Sequence, residues 1–302
     1  MDNKILKVNH LTKKYGTKTA LKDVSFTIER GKIYGFIGEN GAGKTTTIRA
    51  ITGLTSVAEG SVELFGASNQ KGLEEARKKM GCLVEHPILS LNKTAFDNLR
   101  MQQLLFGQTD DTKIAAILER VGLGDVRNKK VKDFSLGMKQ RLGIALALIN
   151  SPELLILDEP VNGLDPMGMV DVRELLRSLC EDDGITILIS SHILAELYQL
   201  VTDYIIISHG QILETLSKEE LDNKCSAYIL LEAPETQAAL KILTEHGIKS
   251  VSNENESIKI YDDVSIKDVA KWMFDANILV TLLMKYEKSL ENYYMELLGG
   301  KS

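Results

Sequence analysis

The stretch GENGAGKT, Gly38 to Thr45, decides the fold. It follows the strand-like run KIYGFI and leads into the helix-like run TTIRAITGL, so it stands where a strand turns into a helix. That is the context a phosphate-binding loop of the GxxxxGKT kind requires. Gly38, Gly41 and Gly43 let backbone N–H groups turn inward around phosphate oxygens, and the N-terminus of the following helix adds a favourable dipole. Lys44 then neutralises the β and γ phosphates while the Thr45 hydroxyl binds Mg²⁺. Asn40 and Thr46 complete the expected cradle.

Outward from this loop the chain alternates helix and strand. LLILD, ending at Asp158, and ITILISSH, ending at His192, each follow a helical stretch and read as buried parallel strands, which implies an α/β core. Asp158 and Glu159 fall at a strand end, where an open α/β sheet places its ligands. Asp158 suits a hold on Mg²⁺ through water, and Glu159 suits the base that orients and polarises an attacking water. By itself LLILDEP also reads as a strand before a solvated turn; beside a phosphate loop the chemical reading is the better one.

The flanks set the domain plan. ILKVNHLTKKYG and LKDVSFTIERGKIYGFIG alternate apolar and polar residues around turn signals, so the N-terminal part is expected to be β-rich. From about residue 76 to 148 the pattern lengthens to helical spacing, with Ile114, Ile117, Leu118 and Val121 on one face, and a helical insert is expected there. After Lys224 the order becomes strand, helix, strand, strand, helix, strand, a small α+β ferredoxin-like unit from about Ser226. The plan is therefore residues 1–220 and 225–302.

Bulk composition narrows the function. The chain has 302 residues, 44% of them apolar, enough for a sizeable core. Lys plus Arg number 36 against 42 Asp plus Glu, a net charge of −6, which argues against a broad nucleic-acid surface. Cys82, Cys180 and Cys225 form no CxxC pair and fit reduced thiols. There is no signal-peptide pattern and no run of eighteen apolar residues, so the expectation is a cytoplasmic chain whose membrane role, if any, needs a partner.

Three further pieces separate the P-loop families: FSLGMKQR from Phe134, NGLDP from Asn162, and SSH ending at His192. With the phosphate loop and the acidic strand end, in this order over roughly the first 220 residues, they resemble the nucleotide-binding subunit of ABC transporters. FSLGMKQR stands where that family has its LSGGQ-type signature. It departs by carrying Leu136 and Met138 but keeps Ser135 and Gly137. A P-loop kinase or small GTPase does not account for SLGMKQ together with NGLDP and His192.

The resemblance implies ATP and Mg²⁺ as ligands and assigns further roles. Tyr15, in KKYG, would stack on adenine; without the resemblance it reads as ordinary packing. His192 would contact the γ-phosphate and help hold the water, where on its own it reads as a satisfied structural histidine. Ser135 and Gly137 of a second subunit would close the triphosphate, with Asp165 in the intervening loop, so two ATPs would lie between two head-to-tail domains. One phosphate loop and one signature per chain imply pairing with a copy or close relative.

Glu85, in CLVEHPILSLNKTAFDNLR (Cys82 to Arg100), stands where ABC ATPases usually have a Gln that contacts Mg²⁺ and faces the membrane partner. Base rates make such a residue a solvated side chain. The Gln-to-Glu change, with SLGMKQRLGIA and the C-terminal SLENYYMELL, is similar to the bacitracin-resistance and lantibiotic-immunity ATPases. This implies an ATP-hydrolysing subunit that drives export of antimicrobial peptides or similar amphiphiles through a transmembrane permease, at the cytoplasmic face of the membrane. A drug, lipid or ion exporter of related build is the alternative within the class. A soluble, non-transport ABC ATPase is the alternative outside it, although such proteins usually carry two ATPase domains in one chain.

Overall fold

The computed structural model describes residues 3–225, 227–252, 257–286 and 289–299. The chain divides into two units, Met1–Lys218 and Glu219–Ser302. The first runs β1 (Lys4–Tyr15), β2 (Lys18–Glu29), β3 (Ile33–Ile37), α1 (Lys44–Ile51), β4 (Glu59–Leu64), α2 (Gln70–Arg77), β5 (Met80–Leu83), α3 (Ala95–Leu105), α4 (Asp111–Arg120), α5 (Leu136–Leu148), β6 (Leu154–Asp158), α6 (Pro166–Glu181), β7 (Thr186–Ser191), α7 (Leu194–Tyr198), β8 (Asp203–Ser208) and β9 (Gln211–Ser217).

Two sheets result. An antiparallel sheet has the order β2-β1-β4, and a six-stranded sheet has the order β5-β6-β7-β3-β8-β9, parallel except at the β8–β9 hairpin. Every residue of β3, β6 and β7 is buried, as continuous apolar runs in a parallel sheet covered on both faces must be. One core joins Val8, Phe26 and Val62 of the first sheet to Phe36, Ile156 and Leu188 of the second, with Ile48 and Ile51 of α1 among them. The helix that follows the phosphate loop is thereby clamped between the sheets.

The stretch expected to be a helical insert opens differently. Met80–Leu83 is a strand, the parallel edge partner of β6, and the helices α3 to α5 follow it. The physical reason is a close approach: a Cβ on Gly81 would lie 2.3 Å from the Ala147 carbonyl oxygen, so only glycine lets β5 slip beneath α5. Further on, Ile114 and Leu118 of α4 are fully buried, as the helical spacing implies.

The second unit runs α8 (Lys218–Cys225), β10 (Tyr228–Glu232), α9 (Thr236–Glu245), β11 (Ser250–Ser252), β12 (Ser257–Ile260), α10 (Ile266–Asp275), β13 (Leu282–Tyr286) and α11 (Leu290–Leu297). Its sheet has the order β11-β12-β10-β13 with every neighbouring pair antiparallel. Ile229, Leu231, Ile258 and Ile260 pack with Leu243 of α9 and with Val269 and Met273 of α10. Trp272 is only half-buried and stacks on His246 with ring centroids 4.2 Å apart. Ser226, the expected start of this unit, lies outside the described residues, and the unit begins earlier, at Glu219. Among the described residues no helix is long and apolar enough to cross a membrane.

Candidate active site

Strand order builds the site. β6, β7 and β3 lie side by side, with Asp158 opposite Ser190 and Ile37 opposite Ser191, so the segments leaving their C-terminal ends converge. Those segments are Glu159 onward, His192 onward and the loop from Gly38. The loop glycines act differently from one another. A Cβ at Gly38 would meet the Ile207 carbonyl oxygen at 2.4 Å, so this position is fixed by packing against β8. Gly43 caps α1 at φ 115°, in the left-handed region that a side chain disfavours.

Lys44 and the two acids form one network. The Lys44 ammonium is 5% exposed; it donates to the Gly38 carbonyl at 2.6 Å and lies 3.2 Å from Glu159 Oε1. The other oxygen, Glu159 Oε2, is 2.7 Å from His192 Nδ1. Thr45 Oγ1 donates to Asp158 Oδ2 at 2.8 Å, and Ser190 Oγ donates to Asp158 Oδ1 at 2.6 Å. Asp158 is 2% exposed, and its hydrogen-bond partners among the described residues are these two neutral hydroxyls. A carboxylate so deeply buried without a cationic partner, beside a hydroxyl, is a donor pair that suits a hard divalent cation.

Glu159 has φ 51°, uncommon for a residue with a side chain. Its carboxylate can take a proton from a water held above the loop, and His192 can orient that carboxylate. Tyr15, Asn40, Gly41, Gly43, Lys44, Thr45, Thr46, Glu85, Asp158 and Glu159 line one cleft of about 960 Å³. Tyr15 is 48% exposed, with Lys13 Nζ 4.9 Å from its ring centroid. Glu85, at φ 62°, receives a hydrogen bond of 2.5 Å from Arg49 Nη2 of α1, a partner within its own chain.

Gly38, Ser135, Gly137, Asp165 and His192 are not among the residues that line the cleft. Ser135 caps α5 by accepting from the Met138 N–H, and Asp165 caps α6 by accepting from the Gly168 N–H. Sequence reasoning missed Lys18, Lys22 and His209, which do line it. His209 (φ 48°) and Gly210 (φ 76°) form the two-residue turn between β8 and β9, and the Gly210 N–H donates to the Ala42 carbonyl of the phosphate loop at 2.8 Å. The HG pair between two strands was the available signal.

Comparison with known proteins agrees with this arrangement. The family described as ABC transporter matches residues 21–162. Over 299 residues, 98% of each chain, the sequence is 40% identical to the bacitracin transport ATP-binding protein BcrA of Bacillus licheniformis. The chain belongs to the ABC transporter family. This ABC ATPase is also 43% identical over 231 residues to the lantibiotic transport ATP-binding protein SrtF of Streptococcus pyogenes, covering 76% of this chain and 99% of that one. Among solved structures, a dimeric ATP-binding cassette bound to ADP and Pi superposes with a TM-score of 0.63 at 26% identity, covering 71% of this chain and 99% of that one. The first unit is thus a P-loop ABC ATPase fold that binds ATP, and the subunit hydrolyses it.

Proposed function

We propose that this ABC ATPase drives the export of antimicrobial peptides or similar amphiphiles through a membrane permease, acting at the cytoplasmic face of the membrane. The observation that carries the reading is the similarity to a bacitracin transport ATP-binding protein over 98% of the chain, second unit included. Glu85, an acid where most ABC ATPases have Gln, agrees with it. So does the surface that follows Glu85 in the chain: Ile88, 97% exposed, lines a groove of about 350 Å³ with Pro87 and Phe106. Apolar side chains gathered at one groove suit a protein cover.

In this reading the loop from Gly38 to Thr46 cradles the phosphates, Lys44 neutralises them, and Tyr15 stacks on the base. Thr45 and Asp158 hold Mg²⁺, with Glu85 near it; the ion screens the phosphate charge when bound. Glu159 draws a proton from the attacking water and His192 steadies both water and γ-phosphate. Ser135 and Gly137 face the cleft of a second copy, and Asp165 belongs to the nucleotide site through the NGLDP loop. The dimeric ADP-bound relative supports that pairing. The second unit is read as ferredoxin-like, on its element order and antiparallel sheet, with a role in pairing or regulation.

Purification of the tagged chain from membranes, with identification of the integral chain that accompanies it, tests the partner. Tolerance of cells to peptide antibiotics, with the wild-type chain and with Glu159→Gln, tests the cargo. Equal tolerance with both chains overturns the peptide reading.

A further inference from the structure

The geometry points to Ser190 as a positioning residue for ATP hydrolysis, one hydroxyl that sets both acids of the site. The inference rests on the reading of Asp158 and Glu159 given above. Ser190 is fully buried, at 0% exposure, in the β7 position opposite Asp158. Its hydroxyl donates to Asp158 Oδ1 at 2.6 Å and accepts from the Glu159 N–H at 2.9 Å. With Thr45 on Oδ2, the donation fixes the rotation of the Asp158 carboxylate and so the direction its oxygens offer a cation.

The acceptance does a second thing. Glu159 leaves the strand in the left-handed region, at φ 51°, and Pro160 follows it. A buried N–H at such a corner needs an acceptor, and Ser190 Oγ is the one the fold supplies. Pinning the peptide of Glu159 fixes where its carboxylate emerges, between Lys44 at 3.2 Å and His192 at 2.7 Å. The neighbouring hydroxyl does not substitute: Ser191 Oγ accepts from the Ile193 N–H at 3.0 Å and donates to Glu196 Oε2 at 3.0 Å. Ser190 Oγ touches both acids of the site, the carboxylate of one and the backbone N–H of the other.

The test compares Ser190→Ala, Ser190→Cys and Ser190→Thr in the full chain. Cys keeps the volume but hydrogen-bonds weakly, and Thr keeps the hydroxyl. For Ala and Cys, kcat should fall about 10- to 100-fold, because a base displaced by a fraction of an ångström loses its line to the water. Affinity for a fluorescent ATP analogue without Mg²⁺ should stay within about twofold, and the half-saturating Mg²⁺ concentration should rise. Thr should regain most of kcat. Wild-type kcat in the Ala and Cys variants, loss of nucleotide affinity in step with kcat, or a Thr variant as defective as Ala would each overturn the inference. Glu159→Gln run in parallel separates the two levels. If it hydrolyses normally the reading of Glu159 is wrong, whereas an inactive Gln variant beside a fully active Ser190→Ala refutes the role of Ser190 alone.

Discussion

Replacing Glu159 by Gln should change catalysis and binding in opposite directions. The substitution keeps the shape and the hydrogen bond toward His192 but removes the negative charge that takes the proton, so kcat should fall about 10²- to 10⁴-fold. Binding follows from Lys44. Its ammonium is 5% exposed and lies 3.2 Å from Glu159, itself 21% exposed, so little water screens the pair. A triphosphate must compete with that carboxylate for the same ammonium. Gln leaves the ammonium a hydrogen bond to a neutral oxygen but removes the ion-pair attraction, which is on the order of 1 kcal/mol for a pair that water still partly reaches, so the amide should release the lysine by about that amount. ATP should therefore bind about fivefold tighter, with removal of one negative charge beside the phosphates adding to the gain. Titration without Mg²⁺ reads the affinity apart from turnover, and gel filtration with ATP and Mg²⁺ reads the trapped dimer. Undiminished hydrolysis would refute Glu159 as the base; lost hydrolysis with unchanged or weaker affinity would refute the competition for Lys44.

Lys44→Ala removes the ammonium altogether and should weaken ATP about 100-fold or more, since several charge-assisted hydrogen bonds are lost at once; calorimetric titration checks it. In the complex with its membrane chain, Glu85→Gln should sustain ATPase activity yet alter its coupling to transport. Glu85→Ala should impair transport further, and wild-type behaviour of Ala in both assays would return Glu85 to a solvated loop residue paired with Arg49. Glu153 carries the pH prediction. The Arg30 guanidinium at 2.6 Å, with Lys79 in support, holds its carboxyl below the usual carboxylate range. A depressed folded value gives stability that is present above the unfolded value of about 4.3 and lost as pH falls through the folded one. Because the pair is well exposed, the gain is below about 1 kcal/mol. Glu153→Gln should thus lower Tm slightly at neutral pH and not at pH of about 3, as thermal melts would read.

What the sequence made legible follows from how local each constraint is. The phosphate loop could be read because its glycines answer to local geometry, and β6 and β7 because parallel strands buried on both faces leave unbroken apolar runs. β5 could not. Its four residues, MGCL, have no period to read; they form a strand by pairing with β6 more than seventy positions on, and Gly81 leaves room for the helix above it. Adjacency made Asp158 and Glu159 visible. Ser190 stood in the quoted SSH motif without a role, since its partner is 32 positions away and only the strand register brings them together.

The same register explains why the site residues are useful to one another. Lys44 is held by Gly38 O and Glu159, and Thr45 by Asp158, so each group assigned to phosphate or metal already has a protein partner of complementary character. Ligand binding is then an exchange of partners in a low-dielectric cleft, where the difference between two large terms sets the affinity. On the proposed reading an exchange couples the steps: a phosphate that drew Lys44 away would also free Glu159 Oε1 for the attacking water. His192, 2.7 Å from Oε2, is not part of that exchange and would keep the freed carboxylate from swinging into solvent. The proposed base would thereby be released by the substrate it serves, and the 0%-exposed Ser190 behind it would keep that release from becoming a loss of aim.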